Sequence, residues 1–138
     1  MKYFLDTDCC IYIITGREPY GPRVLDRLER LGSDDSVLLS AVTLSELVHG
    51  STRSRWKRAN LALLDQFLLD FEVLPFDEAA ARRSGTVRSS LESKGRPIGP
   101  YDVMIAGHAL SVGAAVVTHN VREFSRVTGL RVADWAAD

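Results

Sequence analysis

The chain reads as an α/β protein: a three-layer α/β/α sandwich around a central parallel sheet of four to five strands, formed by residues 1–138 as one domain. Three observations predict this. Short apolar runs recur along the sequence and end in polar or turn residues, as buried strands do. Longer stretches with helical spacing separate them, and strict alternation of strand and helix closes into a parallel sheet covered on both faces. With 46% hydrophobic and 25% charged residues, 138 residues suffice for one full core.

Lys2–Asp6 is short, apolar and aromatic, and reads as a central strand. A helical segment from Asp8 to about Ile14 follows and ends at Gly16. Pro22–Leu31 places Val24, Leu25, Leu28 and Leu31 at helical spacing and stops at Gly32. Val37–Ser40 is the second strand, and a helix from about Leu44 to Val48 ends at Gly50. An amphipathic helix carrying Leu61, Leu64, Phe67 and Leu68 precedes the third strand, Glu72–Leu74. Asp77 is placed to cap a helix running to about Glu92. After a polar loop, Pro100 suits the first position of a helix reaching about Leu110. Val116–Thr118 is the fourth strand; a short helix and a small strand around Leu130–Val132 close the chain.

Composition excludes little. A net charge of −1 and a pI near 6.3 neither advertise nor forbid a nucleic-acid partner. The only cysteines, Cys9 and Cys10, are adjacent, so no disulfide framework is expected and the chain reads as cytoplasmic. No secretory leader follows Met1, and no apolar stretch approaches the roughly 20 residues that cross a bilayer.

Four acids carry the functional signal: Asp6, Glu46, Asp102 and Glu123. Each falls at a strand-to-helix switch or just inside a helix start, which a parallel sheet gathers at the carboxyl ends of its strands. Each also has a bland explanation. Thr43-x-x-Glu46 and Asn120-x-x-Glu123 fit capping boxes, Asp102 complements a helix dipole, and Asp6 caps the next helix. The bland readings account for single acids but not for four at one edge. Crowded carboxylates need a cation, and oxygen-only ligands suit Mg²⁺ or Mn²⁺. Glu46-x-x-His49 and His119-x-x-x-Glu123 lack the partners that a di-iron or zinc site requires, so His49, His108 and His119 are read as non-ligands.

Asp6-Thr7-Asp8 after an apolar strand also resembles the start of haloacid-dehalogenase-type phosphatases, although Cys10 stands where that family has Thr or Val. No phosphate-binding P-loop, dinucleotide fingerprint or serine-hydrolase elbow is present. Arg53, Arg55, Trp56, Lys57 and Arg58 form the most basic stretch, suited to gripping phosphates while the ring stacks on a base. Its bland counterpart is a solvated helix start with Trp56 buried. Arg96 belongs to a second basic region before Asp102.

Several segments together resemble the PIN-domain ribonucleases of the VapC toxin type. They are Phe4-Leu5-Asp6-Thr7, Ser45-Glu46-Leu47-Val48-His49-Gly50, the run from Gly95 to Ala109 around Asp102, and Val117-Thr118-His119-Asn120-Val121-Arg122-Glu123-Phe124. The ending Arg126-Val127-Thr128-Gly129-Leu130 and Asp134-Trp135 also fits. The resemblance implies a metal-dependent endoribonuclease toxin acting on a structured RNA such as a tRNA, a cognate antitoxin and a homodimer. It implies Asp6 and Asp102 as metal ligands and Glu46 as a further acid. Many members carry Asp where this chain has Asn120, so Glu123 is expected to complete the set. The alternatives are the phosphatase and a non-catalytic RNA-binding domain.

Overall fold

The computed structural model describes residues 1–138. Twelve elements follow one another: β1 (Lys2–Leu5), α1 (Thr7–Thr15), α2 (Tyr20–Glu29), β2 (Ser36–Ser40), α3 (Ala41–Arg53), α4 (Lys57–Leu68), β3 (Glu72–Leu74), α5 (Glu78–Ser93), α6 (Pro100–Val112), β4 (Ala114–Val117), α7 (Val121–Phe124) and β5 (Val132–Ala133). The five strands form one sheet in the order β3-β2-β1-β4-β5. All four pairings are parallel. The expected α/β/α sandwich is therefore present. No helix is long and apolar enough to cross a membrane.

Strand periodicity builds the layers. Successive side chains point to opposite faces, so Phe4, Leu38 and Val116 enter one core while their neighbours Leu5, Leu39 and Val117 enter the other. The first core is closed mainly by Val87 and Leu91 of α5 and by Val103, Ile105, Ala106 and Ala109 of α6. The second is closed by Cys9 and Cys10 of α1, Val24 of α2, Leu47 of α3 and Leu64 and Phe67 of α4. Phe4, Leu5, Val116 and Val117 are fully buried. This is why the two central strands read as unbroken apolar runs.

The chain passes outward from β1 to β3 and then returns to β4 on the other flank. The strand order thus reverses between β1 and β4, the place where such sheets open a crevice at their carboxyl ends. His108 is not at that crevice. Its Nδ1 lies 2.7 Å from Ser40 Oγ, and the rings of Phe4 and Phe76 meet it edge-on. Burial holds its pKa below the ordinary value, partly offset by the charge of Asp77.

Some boundaries differ from the sequence reading. α3 runs through Gly50 to Arg53 rather than stopping after Val48. An interior glycine costs a helix only about 1 kcal/mol, which the packing of Val42 and Leu47 outweighs. α2 begins at Tyr20 rather than Pro22, and its start lies so near α1 that a Cβ on Gly21 would sit 2.5 Å from the Tyr12 carbonyl oxygen. β4 begins at Ala114 and β5 is Val132–Ala133. Asp77 caps α5 as expected, accepting the Ala80 N–H at 3.0 Å.

The tightest interhelical contact joins α5 to α6, where a Cβ on Gly107 would lie 2.5 Å from Ser84 N and Cα. One residue along α5, Gly85 faces open space. Gly107→Ala is therefore expected to destabilise by about 1–3 kcal/mol through overpacking. Gly85→Ala should instead stabilise by about 1 kcal/mol through helix propensity. Denaturant titration of both variants checks the pair; equal shifts of one sign would mean the helices part freely.

Candidate active site

Asp6 is the first residue beyond β1, and its N–H donates to Val117 O at 2.8 Å, carrying the β1–β4 ladder one step past the strand. The Thr118 hydroxyl, at the matching end of β4, donates to Asp6 Oδ2 at 2.8 Å. Thr118 Oγ1 in turn accepts the Asn120 N–H at 3.0 Å. The other oxygen, Asp6 Oδ1, is buried with no hydrogen-bond partner. Asp6 stands at the N-cap of α1, yet its side chain caps nothing.

The remaining acids arrive from three helices. Glu46 lies in the second turn of α3, whose real cap is Ser40, accepting the Val42 N–H at 3.1 Å. Its Oε1 accepts the Thr7 hydroxyl at 2.6 Å. Asp102 sits in the first turn of α6, behind Pro100. Glu123 of α7 is held by the Asn120 amide, 3.0 Å from Nδ2 to Oε2, and its carboxyl is within hydrogen-bonding reach of Asp102. The Asn120 side chain does not cap α7. The capping explanations thus fail for Asp6, Glu46 and Asn120, whose side chains turn to partners across the sheet edge or to Glu123.

A fifth acid joins them. Asp8 Oδ1 accepts the Cys9 N–H at 2.6 Å, while Oδ2 accepts the backbone N–H of His119 at 3.0 Å. This ties the start of α1 to the end of β4. Asp8 thus holds two chain segments together. The sequence carries the Asp6-x-Asp8 spacing, but nothing in it reveals that residue 119 lies beside residue 8.

None of these five carboxylates pairs with a Lys, Arg or His; every ion pair in the protein involves other acids. Two of them, Asp6 and Asp102, are held above the ordinary carboxyl range. Burial, then the charge of Asp8, pushes Asp6 up to about 7; the hydrogen bond from Thr118 and the nearby Thr7 backbone N–H pull the other way, and Asp102 adds a smaller upward push. Asp102 is also raised, by burial first, then by the shared hydrogen bond with Glu123 and the charges of Glu123, Glu46 and Asp8. As the side chains lie, no three His, Cys, Asp or Glu residues converge on one point to cage an ion. A hard cation of the Mg²⁺ kind does not need a cage: it keeps most of its waters and takes one or two carboxylates. The orphaned Oδ1 of Asp6 and the uncompensated charge fit that demand.

The other predicted residues are elsewhere. Arg53, Arg55, Trp56, Lys57 and Arg58 are all exposed at the turn from α3 to α4. Trp56 is not buried: it is 64% exposed, and the Arg55 guanidinium lies 5.1 Å from its ring centre. Arg96 is exposed on the loop before α6. His49 and Tyr101 line a cleft with Thr7, Ser45 and Glu46. His119 turns away from the acids toward Asp134, with Nδ1 3.0 Å from Oδ2, and packs against Tyr20.

A PIN-domain family model matches residues 3–130. The chain belongs to the PIN-domain family. It is 43% identical over 136 residues to a Shigella flexneri protein named tRNA(fMet)-specific endonuclease VapC, covering 99% of each chain. Among solved structures, VapBC2 from Rickettsia felis bound to a promoter DNA fragment superposes with a TM-score of 0.89 at 34% identity, covering 98% of this chain and 99% of that one. DNA-bound VapBC from Salmonella typhimurium gives 0.87 at 42% identity, covering 98% of each. The relatedness spans the basic stretch and the loop before Asp102 as well as the acids.

The raised carboxyls set a pH signature for the metal-free PIN domain. A carboxyl with a folded pKa near 7 and an ordinary value of 3.8 binds more protons when folded, so its contribution to stability is present in acid and is lost as pH rises from about 4 through 7. The melting temperature of protein treated with EDTA should fall over that window. Asp102→Asn should raise it at about pH 8, because it removes one unpaired buried charge. Thermal melts across pH check both; a flat profile would mean that the carboxylates are already compensated.

Proposed function

We propose that this PIN-domain protein is a VapC-type toxin, a metal-dependent endoribonuclease that hydrolyses phosphodiester bonds in a structured RNA. A tRNA is the first candidate, given the name of the 43%-identical relative. One observation carries the reading: five carboxylates lie near one another around the β1–β4 switch with no basic partner, and one oxygen of Asp6 is buried and unpaired.

Asp6 and Asp102 would hold Mg²⁺ or Mn²⁺. When bound, such an ion acidifies a water for attack and offsets charge on the departing oxygen. The chain's own residues prepare that chemistry. Thr118 fixes Asp6 Oδ2 and so leaves Oδ1 as the free donor. Thr7 fixes the Glu46 carboxylate, which would orient water beside a bound ion. Asn120, neutral itself, positions Glu123 as the last acid. Arg53, Arg55, Lys57, Arg58 and Arg96 supply exposed positive charge for the phosphate backbone, with Trp56 as a stacking surface. The protein works in the cytoplasm, as a homodimer, beside its antitoxin.

With purified protein, RNA cleavage should stop in EDTA and return with Mg²⁺ or Mn²⁺. Asp6→Asn and Asp102→Asn should each abolish cleavage while the protein stays folded. Glu123→Gln should lose about 10–100-fold, or demand more Mg²⁺, at little cost in stability. Undiminished cleavage under exhaustive chelation would overturn the mechanism, and binding without cleavage would favour a sequestering domain.

An antitoxin partner follows from the VapBC complexes this chain resembles, and a groove of about 430 Å³ between α1, α3 and α4, lined by Ile11, Ile14, Leu47, Leu63 and Leu64 and opening onto Glu46, is where we place its contact. Ile11 is 45% and Leu63 51% exposed, an apolar surface that suits an amphipathic peptide segment. An Arg on that segment would then reach the acids with paired, charge-assisted hydrogen bonds. Leu63→Glu is expected to weaken inhibition by the antitoxin while leaving cleavage intact, and replacing the partner's Arg should also release activity. Inhibition assays with both variants test this; full inhibition in both cases would move the contact elsewhere.

A further inference from the structure

Glu46 borders two clefts of opposite character. Beyond the apolar groove, a second cleft of about 280 Å³ is lined by Thr7, Ser45, Glu46, His49 and Tyr101. Its walls are hydroxyls, an imidazole and a phenol. Within it only Thr7 and Glu46 are engaged, and they are engaged with each other. Tyr101 is 57% exposed. It takes part in no ring contact, whereas Tyr12 and Tyr20 stack on one another at 4.8 Å and the other aromatic rings in contact pack within the fold. Tyr101 therefore has no aromatic partner and more than half of its surface is open to solvent, and it is the residue immediately before Asp102.

We propose that this cleft receives an unpaired base of the RNA beside the phosphate to be cut, with Tyr101 stacking on the base and His49 and Ser45 hydrogen-bonding its edge. The inference rests on the ribonuclease reading above. Proteins that read single-stranded RNA splay bases onto exposed aromatic rings and contact their polar edges. A neutral base is also the part of a nucleotide that this cleft admits, because the Glu46 carboxylate in its lining repels phosphate. A peptide is disfavoured here: the apolar surface that a peptide helix needs lies on the other side of Glu46.

The full-length protein carrying Tyr101→Ala, Tyr101→Phe or His49→Ala is assayed on the RNA it cleaves, with initiator tRNA as the first probe. A second version of that RNA carries an abasic ribose at the mapped cleavage position. Tyr101→Ala should raise KM about tenfold with kcat little changed, as expected for losing one base–aromatic stack. Tyr101→Phe should behave as the unaltered protein, and His49→Ala should show a smaller rise in KM. The abasic RNA should show the same loss with the unaltered protein and no further loss with Tyr101→Ala, because one interaction cannot be removed twice. The exposed ring predicts an unchanged melting temperature, so misfolding will not imitate the result. An unchanged KM, or losses that add, overturns the proposal, as does a Tyr101→Ala variant that loosens only the antitoxin. If the unaltered protein cuts no RNA with Mg²⁺ or Mn²⁺, the ribonuclease reading fails first and this inference falls with it.

Discussion

Like charges held together without a counter-charge are the constraint around which this protein is organised. Asp6, Asp8, Glu46, Asp102 and Glu123 repel one another, and burial makes that repulsion costlier for Asp6 and Asp102. They stay close because each is anchored by a different part of the framework: the β1–β4 ladder for Asp6, the His119 backbone for Asp8, the Thr7 hydroxyl for Glu46, the first turn of α6 for Asp102, and the Asn120 amide for Glu123. The two apolar cores supply the stability that opposes the strain. Such a cluster is assembled at the expense of the fold's own stability, which is the usual relation between a functional site and its scaffold.

The hydroxyl residues show how finely this is arranged. Thr118 takes a hydrogen bond from Asn120 and gives one to Asp6, so the turn leading into α7 and the strand end carrying Asp6 are fixed through one oxygen. Asp8 repeats the connection through the His119 backbone. Two neighbouring segments of the crevice are thereby locked to each other and are not independent loops. Charge from α6 and α7 is then delivered into a prepared frame.

Much of this was legible in the sequence. The strands were, because burial on both faces leaves an unbroken apolar run in β1 and β4. Asp6 stood out because a carboxylate closing such an apolar run needs a reason, whereas Asp102, just behind Gly99-Pro100, looked locally like a complement to the helix dipole and was singled out only by its company at one sheet edge and by the family resemblance. Glu46 and Glu123 looked equally like helix caps, and only the direction in which their neighbours Thr7 and Asn120 turn separates the two readings. The reach of α3 was underestimated because a glycine that stops one helix is simply tolerated in another. The parts played by Asp8 and Thr118 lay out of reach for a different reason: they depend on contacts about 110 residues apart, formed when β1 pairs with β4. Local pattern does not encode such adjacency.

The close seat of Gly107 against Ser84 has a consequence for how this protein fails. Gly107 and Asp102 share α6, about 7.5 Å apart along a stiff rod, so the depth to which the glycine lets α6 sink sets where the carboxylate is presented. A side chain wedged there does not touch the chemistry, yet it lifts the far end of the lever. Inactivating lesions in such a protein need not map to its acids. A bacterium escaping a toxin of this build has a second class of target, in which every acidic residue is intact and only the spacing between two helices has changed.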